Sequence, residues 1–327
     1  MSIESFKETE YGILGELFEG VYPEYPGVAE DLRHTDATRM PPLKAARWLL
    51  KDASRALGMV EYSQSATRYD PRRFTIDLLV RPDAEGRGLG KQLYAHLLSR
   101  LEEFDPLALE IGVREDKMRG LRFAGERGFA ETMRSWESRL DPRGFNPEAY
   151  DGLVARVTGE GIVLRDLTEL AIDPERERLI YELRNAIIPD VPSTAAVTEE
   201  SYEQYLERFW KNPLMIQEGC FIALDGERYV GYSQLFDTPD RSLLYTGLTG
   251  VRREYRGRGI ATALKVRAIA WAKAAGRTEI VTWNASRNVE MLGINAKLGF
   301  ARQKAWIDFE KVLGAESGAE ANAGAGK

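Results

Sequence analysis

The chain has 327 residues, 43% of them hydrophobic and 29% charged, with a net charge of −6. This is the composition of a globular protein long enough for about two domains, and the acidic balance argues against a general nucleic-acid binder. The single cysteine, Cys220, excludes an intrachain disulfide; with no apolar run near membrane-spanning length and no signal-peptide core at the start, a cytoplasmic protein is expected.

In chain order, residues 10–22 carry the apolar spacing of an amphipathic helix and run into Pro23-Glu24-Tyr25-Pro26. The Gly-rich run Val80-Arg81-Pro82-Asp83-Ala84-Glu85-Gly86-Arg87-Gly88-Leu89-Gly90 follows, then Phe123 to Phe129. Turn formers crowd Asp141 to Pro147, and residues 148–157 read as a linking helix. A strand begins near Ile162-Val163-Leu164-Arg165. A second amphipathic helix, 176–188, enters Pro189-Asp190-Val191-Pro192, and residues 201–210 form a further helical stretch. Residues 220–224 and 229–236 are strands joined by the hairpin turn Asp225-Gly226-Glu227. The pattern then predicts a strand over 243–251, a helix over 260–275, a strand over 279–283, a short helix over 291–297 and a last strand over 306–311. A mixed sheet with helices on both faces fits this order, so the fold class is α/β. The small, polar residues 314–327 predict a disordered tail.

The chain repeats itself. Val80 to Gly90 lies over Val251 to Ala261 without a gap, at an offset of 171 residues. At the same offset Phe123 to Phe129 falls on Ile294 to Phe300, and Val21 to Pro26 resembles Ile187 to Pro192 at an offset of 166. A period this long marks a duplicated domain rather than a solenoid. The expected division is an N-terminal repeat over 1–141, a linker over 142–160, a C-terminal repeat over 161–313 and the tail.

The most informative run is Val251-Arg252-Arg253-Glu254-Tyr255-Arg256-Gly257-Arg258-Gly259-Ile260-Ala261, between a strand and a helix. Glycines at 257 and 259 let the backbone turn tightly and approach a ligand. The unpaired N–H groups of the first helical turn, the helix dipole and the four arginines make an anion site suited to a pyrophosphate.

Arg256-x-x-Gly259-x-Ala261 resembles the R/Q-x-x-G-x-G/A signature of the GNAT N-acetyltransferases. Asn288-x-x-Met291-x-x-x-Asn295-x-x-Leu298-Gly299-Phe300 resembles that family's second segment, N-x-x-A-x-x-x-Y-x-x-x-G-F. The resemblance implies two tandem GNAT acyl-CoA N-acyltransferase folds, with acetyl-CoA as cosubstrate and no metal. The partner implied is a small-molecule or peptide amine, with no nucleic acid or membrane, in a monomer or homodimer. It places the diphosphate at Arg256, Gly257, Arg258, Gly259, Ile260 and Ala261. The pantetheine arm falls along the strand end at Val251, Arg252 and Arg253, and near Asn288. Val80, Arg81, Gly86, Arg87, Gly88 and Gly90 are the weaker counterparts. Glu85, Lys117 and Ala124 stand where the C-terminal repeat has Arg256, Asn288 and Asn295, so the C-terminal repeat is expected to be the catalytic one and the N-terminal repeat a degenerate copy.

Asn295 departs from the family tyrosine that returns a proton to the leaving thiolate. Its amide can donate a hydrogen bond but cannot act as a general acid, and bracing its own helix is the alternative role. Asn288 is either a cofactor contact or a helix cap. The general base is less visible. His34 and His96 both belong to the first repeat, His96 on an expected surface face, and Asp190, Tyr245 and Thr246 are the second-repeat candidates. Cys220, Trp271 and Trp283 read as core. A ternary-complex N-acetyltransferase is the leading function; a catalytically silent acyl-CoA-binding sensor or scaffold is the alternative.

Overall fold

A computed structural model describes residues 1–25, 27–53, 55–194, 197–238 and 243–314. The expected tail lies, from residue 315 on, outside the described residues. The N-terminal half runs β1 (Ser2–Ser5), α1 (Tyr11–Val21), α2 (Val28–Ala37), β2 (Ala45–Asp52), β3 (Arg55–Ser63), β4 (Arg73–Val80), α3 (Leu89–Leu101), β5 (Ala108–Arg114), α4 (Met118–Glu126) and β6 (Ala130–Leu140). The linking helix is α5 (Asp151–Gly159). The C-terminal half runs β7 (Ile162–Asp166), α6 (Arg176–Ile187), α7 (Tyr202–Tyr205), β8 (Phe221–Asp225), β9 (Arg228–Asp237), β10 (Leu244–Val251), α8 (Ile260–Ala274), β11 (Ile280–Ala285), α9 (Val289–Lys297) and β12 (Ala301–Val312). The stretch expected to be helical over 201–210 is a single α turn passing into a π turn at Leu206–Trp210.

Two compact units are interleaved along the chain. The first takes Met1–Val21, Pro41–Thr132 and the residues from Ile307; the second takes Tyr22–Met40 and Met133–Trp306. The segment carrying α2 therefore belongs to the unit built mainly from the C-terminal half.

In the first unit β1, β2, β3 and β4 pair antiparallel in turn, and β5 joins β4 in parallel. In the second, β7, β8, β9 and β10 repeat that order, β11 joins β10 in parallel, and β6 pairs antiparallel on β11. Each parallel step is made through a helix, α3 or α8, as a parallel connection requires. The core of the first unit gathers Phe74, Ile76, Leu93, Leu97, Leu109 and Phe129. In the second unit the sheet is covered on both faces. One face holds α8 through Ile260, Leu264 and Ile269, and the other holds α6, α7 and the π turn after it through Ile180, Leu183, Tyr205 and Phe209. Accordingly β9, the central strand, is buried continuously from Tyr229 to Asp237 rather than alternating. Among the described residues no helix is long and apolar enough to cross a membrane.

Candidate active site

The site begins with a parting of strands in the second unit. β10 is in register with β11 only at Leu244↔Ile280 and Tyr245↔Val281. Beyond Tyr245, β10 continues to Val251 against β9 alone, with a register shift between Thr246 and Thr249. Such a bulge bends its strand and adds twist, which turns β10 away from β11. The bulge requires glycine, because a Cβ at Gly247 would stand 2.6 Å from Cε2 of Phe236 and 2.9 Å from Oε1 of Gln234. Gln234 Oε1 also accepts from the Leu248 amide at 3.3 Å. The edge of β10 that β11 leaves is a template for an amide-bearing chain. In the first unit β4 leaves β5 after three pairs, the last Thr75↔Glu110, but its register against β3 is unbroken and carries no bulge.

At the end of β10 the loop turns through Gly257 at φ +76° and Gly259 at φ +85°. Gly259 is the N-cap of α8 and no side chain caps that helix, so its first N–H groups remain available to an anion. Gly86 and Gly88 take the same conformations, φ +75° and +78°, before α3. The arginines are less uniformly placed than their spacing suggests. Arg256 Nε donates to the Val251 carbonyl at 3.1 Å. Arg252 turns to the Tyr229 carbonyl on β9 at 2.9 Å, and Arg258 pairs with Glu160 at 2.8 Å. One residue escaped the sequence reading. Arg156 of α5 has its Nη2 3.0 Å from the position a Gly259 Cβ would take, is exposed, and has no ion-pair partner among the described residues. Nothing in its local sequence distinguishes it from a solvated helix cation.

The first-unit loop differs in its charge. Glu85 pairs with Arg119 of α4 at 3.2 Å, which turns the carboxylate toward that helix. Lys117 donates to the Val21 carbonyl at 2.7 Å, and Ala124 is buried.

Asp190, a base candidate by sequence, is engaged by two arginines. Its carboxylate pairs with Arg253 and, at 2.5 Å, with Arg256, and the Arg253 hydrogen bond leads in holding its pKa far below the usual carboxylate range. Tyr245, another candidate by sequence, is hydrogen-bonded to Asp31. Burial, then the neighbouring Asp31, push its phenol well above its ordinary value and keep it protonated. Tyr245 Oη donates to Asp31 Oδ1 at 3.0 Å. Asp31 itself is raised, chiefly by burial, with the Tyr245 hydrogen bond opposing.

Asn288 caps α9, its Oδ1 accepting from the Met291 amide at 3.2 Å. Asn295 is 1% exposed, and its Nδ2 donates to Oδ1 of Asn284 on β11 at 2.7 Å. Cys220 is buried, its thiol pushed up to about 12 by desolvation. Trp271 packs on the α8 core, whereas Trp283 is 38% exposed and not core. It stands two residues beyond Val281, where the strands have parted. His96 is half-buried, edge-on to Trp48, rather than on an open face. His34 lies in the second unit, 3.3 Å from the Arg208 carbonyl.

The model of the acetyltransferase (GNAT) family matches the chain twice, over residues 13–129 and 180–300. N-alpha-acetyltransferase 30 of Schizosaccharomyces pombe is 31% identical over 108 residues, covering 32% of this chain and 71% of that protein. A tandem GNAT protein from the clavulanic acid biosynthesis pathway superposes with a TM-score of 0.74 at 18% identity, covering 96% of this chain and 99% of that one. A GCN5-related N-acetyltransferase from Sphaerobacter thermophilus gives 0.69 at 17%, covering 96% of both chains. At those identities the two structures speak for the fold.

Proposed function

Because this chain belongs to the acetyltransferase (GNAT) family, we propose that its second unit moves an acetyl group from acetyl-CoA to a primary amine by direct attack in a ternary complex. The observation that carries this reading is the bulged parting of β10 from β11, which is built in the second unit and only half built in the first. Acetyl-CoA supplies a thioester whose carbonyl gains negative charge as the amine attacks. Residues 246–251 of β10 offer the backbone groups that hold the pantetheine arm. The Arg256 to Ala261 loop fits a diphosphate, with two left-handed glycines, an uncapped fifteen-residue helix behind them and Arg156 beside them. Most of the rate enhancement then comes from positioning and charge stabilisation.

Asn295 serves the leaving sulfur as one half of a pair. It occupies Oδ1 of Asn284 and leaves Nδ2 of Asn284, which has no partner among the described residues, as the donor to the thiolate. The acceptor to test first is a peptide with a free N-terminus, the group named in the Schizosaccharomyces relative.

The test is CoA release from acetyl-CoA with peptides, glucosamine, an aminoglycoside and spermidine as acceptors, together with acetyl-CoA titration by calorimetry. Binding without release for every amine would favour a silent acyl-CoA-binding module instead. Unchanged acetyl-CoA affinity in Gly259→Glu would reject the loop as the diphosphate site.

A further inference from the structure

On the reading of the second unit as the catalytic one, we infer that Asp31, carried on α2 from the N-terminal half of the chain, receives the acceptor ammonium and takes its proton. Tyr245 is the last residue of β10 in register with β11, so its side chain stands at the apex of the parting. Its hydroxyl holds Asp31 Oδ1 at 3.0 Å. Its ring stacks on Phe236 at 5.9 Å, which fixes the hydroxyl in place. Asp31 is half-buried and has no ion-pair partner among the described residues. A half-buried carboxylate held by a single hydrogen bond, with no ion-pair partner among the described residues, is suited to binding an alkylammonium.

Among the described residues, the charged and titratable groups that act on the pair are few. On α2 they are Glu30, which pairs with Arg33, and His34. On β9 there is Asp237, which is held by Arg277. None brings an uncommitted permanent cation to Asp31. Its raised affinity for a proton follows from burial, which brings a carboxylate closer to what a base needs near neutral pH.

The step balances. The ammonium R–NH3⁺ gives one proton to the Asp31 carboxylate. The freed amine forms a C–N bond to the thioester carbonyl carbon, the C=O π pair moving onto oxygen to give a tetrahedral species whose collapse re-forms C=O and breaks the C–S bond. The second nitrogen proton leaves with the collapse of the tetrahedral species, the CoA thiolate takes up one proton, and Asp31 returns its own to water. The net reaction is R–NH3⁺ plus acetyl-CoA giving the acetamide, CoASH and H⁺.

Three variants test this. In Asp31→Asn, kcat/KM for whichever amine the acceptor screen selects should fall roughly 10²- to 10⁴-fold, with the acetyl-CoA Kd within about twofold. The acid limb of the pH profile should vanish, and Asp31→Glu should restore part of the rate. Tyr245→Phe removes a hydrogen bond that favours the ionised carboxylate, so the acid limb should move to higher pH; this readout stands even if Asp31→Asn folds poorly. Independently of turnover, n-butylammonium titrated by NMR into CoA-saturated protein should bind the wild type and bind Asp31→Asn at least tenfold more weakly. Equal binding to both, no binding to the wild type, an unmoved limb in Tyr245→Phe, or wild-type kinetics in Asp31→Asn would each overturn the role of Asp31. Wild-type inactivity with every amine would overturn the proposed function, and the inference with it.

Discussion

Asp190 grips Arg253 of the Gly-rich loop, its Oδ2 accepting from Nε at 2.8 Å while a second guanidinium, that of Arg256, closes on the same oxygen at 2.5 Å. The 3-10 turn at Ile188–Asp190 that presents this carboxylate comes directly off the end of α6. Two arginines that could meet a diphosphate are thereby held beside a carboxylate that would repel it.

Removing that charge should tighten acetyl-CoA binding. At about 6 Å in a watery setting one unit of charge is worth under about 1 kcal/mol, so Asp190→Asn should lower the Kd by roughly three- to fivefold. Calorimetry at low and high salt checks this, because the gain should shrink as salt screens it. A weaker Kd would mean that Asp190 serves to position the arginines rather than to compete for them.

The two loop glycines should respond differently to a methyl group. Both have positive φ, which costs a side chain about 1–2 kcal/mol. A Cβ at Gly257 meets open space, whereas one at Gly259 comes within 2.8 Å of Leu153 Cδ1 on α5. Gly257→Ala should therefore lose about 1 kcal/mol, and Gly259→Ala roughly 2–4 kcal/mol. Denaturant unfolding measures both, and Leu153→Ala should recover part of the second loss. Equal losses would show that α5 does not bear on the loop.

Asn295 and Asn284 should separate stability from turnover. Asn284→Ala strands the Nδ2 donor of Asn295, which is 1% exposed, and should cost about 1–3 kcal/mol. Asn295→Ala strands only the half-buried Oδ1 of Asn284 and should cost less through that hydrogen bond. Both should slow turnover roughly tenfold to a thousandfold, with acetyl-CoA affinity retained. If Asn295→Ala lowers Tm and leaves turnover per folded molecule intact, the pair only braces α9.

Lys265 should make stability depend on alkaline pH. It is 2% exposed on α8, with Phe300 at 5.1 Å, and desolvation pulls its pKa down to about 8. The folded pKa lies below the unfolded one, so between about pH 8 and 10.4 the unfolded chain binds more protons and stability rises with pH. The full excursion is on the order of 3 kcal/mol. Lys265→Met should abolish this rise and stabilise the protein at neutral pH, as followed by chemical denaturation from pH 7 to 10.

Sequence alone determined the Gly-rich turn at 257–259 and the duplication. Gly257 and Gly259 adopt the left-handed turn because glycine alone does so freely. The residues of α8 are helical because their apolar spacing is local, and the duplication is legible because both copies keep the same turn. The parting of β10 and the residues around Tyr245 were not legible, because they are joined only by register and packing. Asp31 meets Tyr245 across 214 positions of chain, and no local pattern at either residue announces the other. Trp283 reads as core by its apolar character, and its exposure follows from where β10 leaves β11. The bulge after Thr246 distinguishes the second unit from the first, and it exists only in the pairing of β10 with β9. Asp190 had the composition of a base and became a partner of Arg253 and Arg256, because a carboxylate's basicity is set by the charges that folding brings within a few ångströms of it.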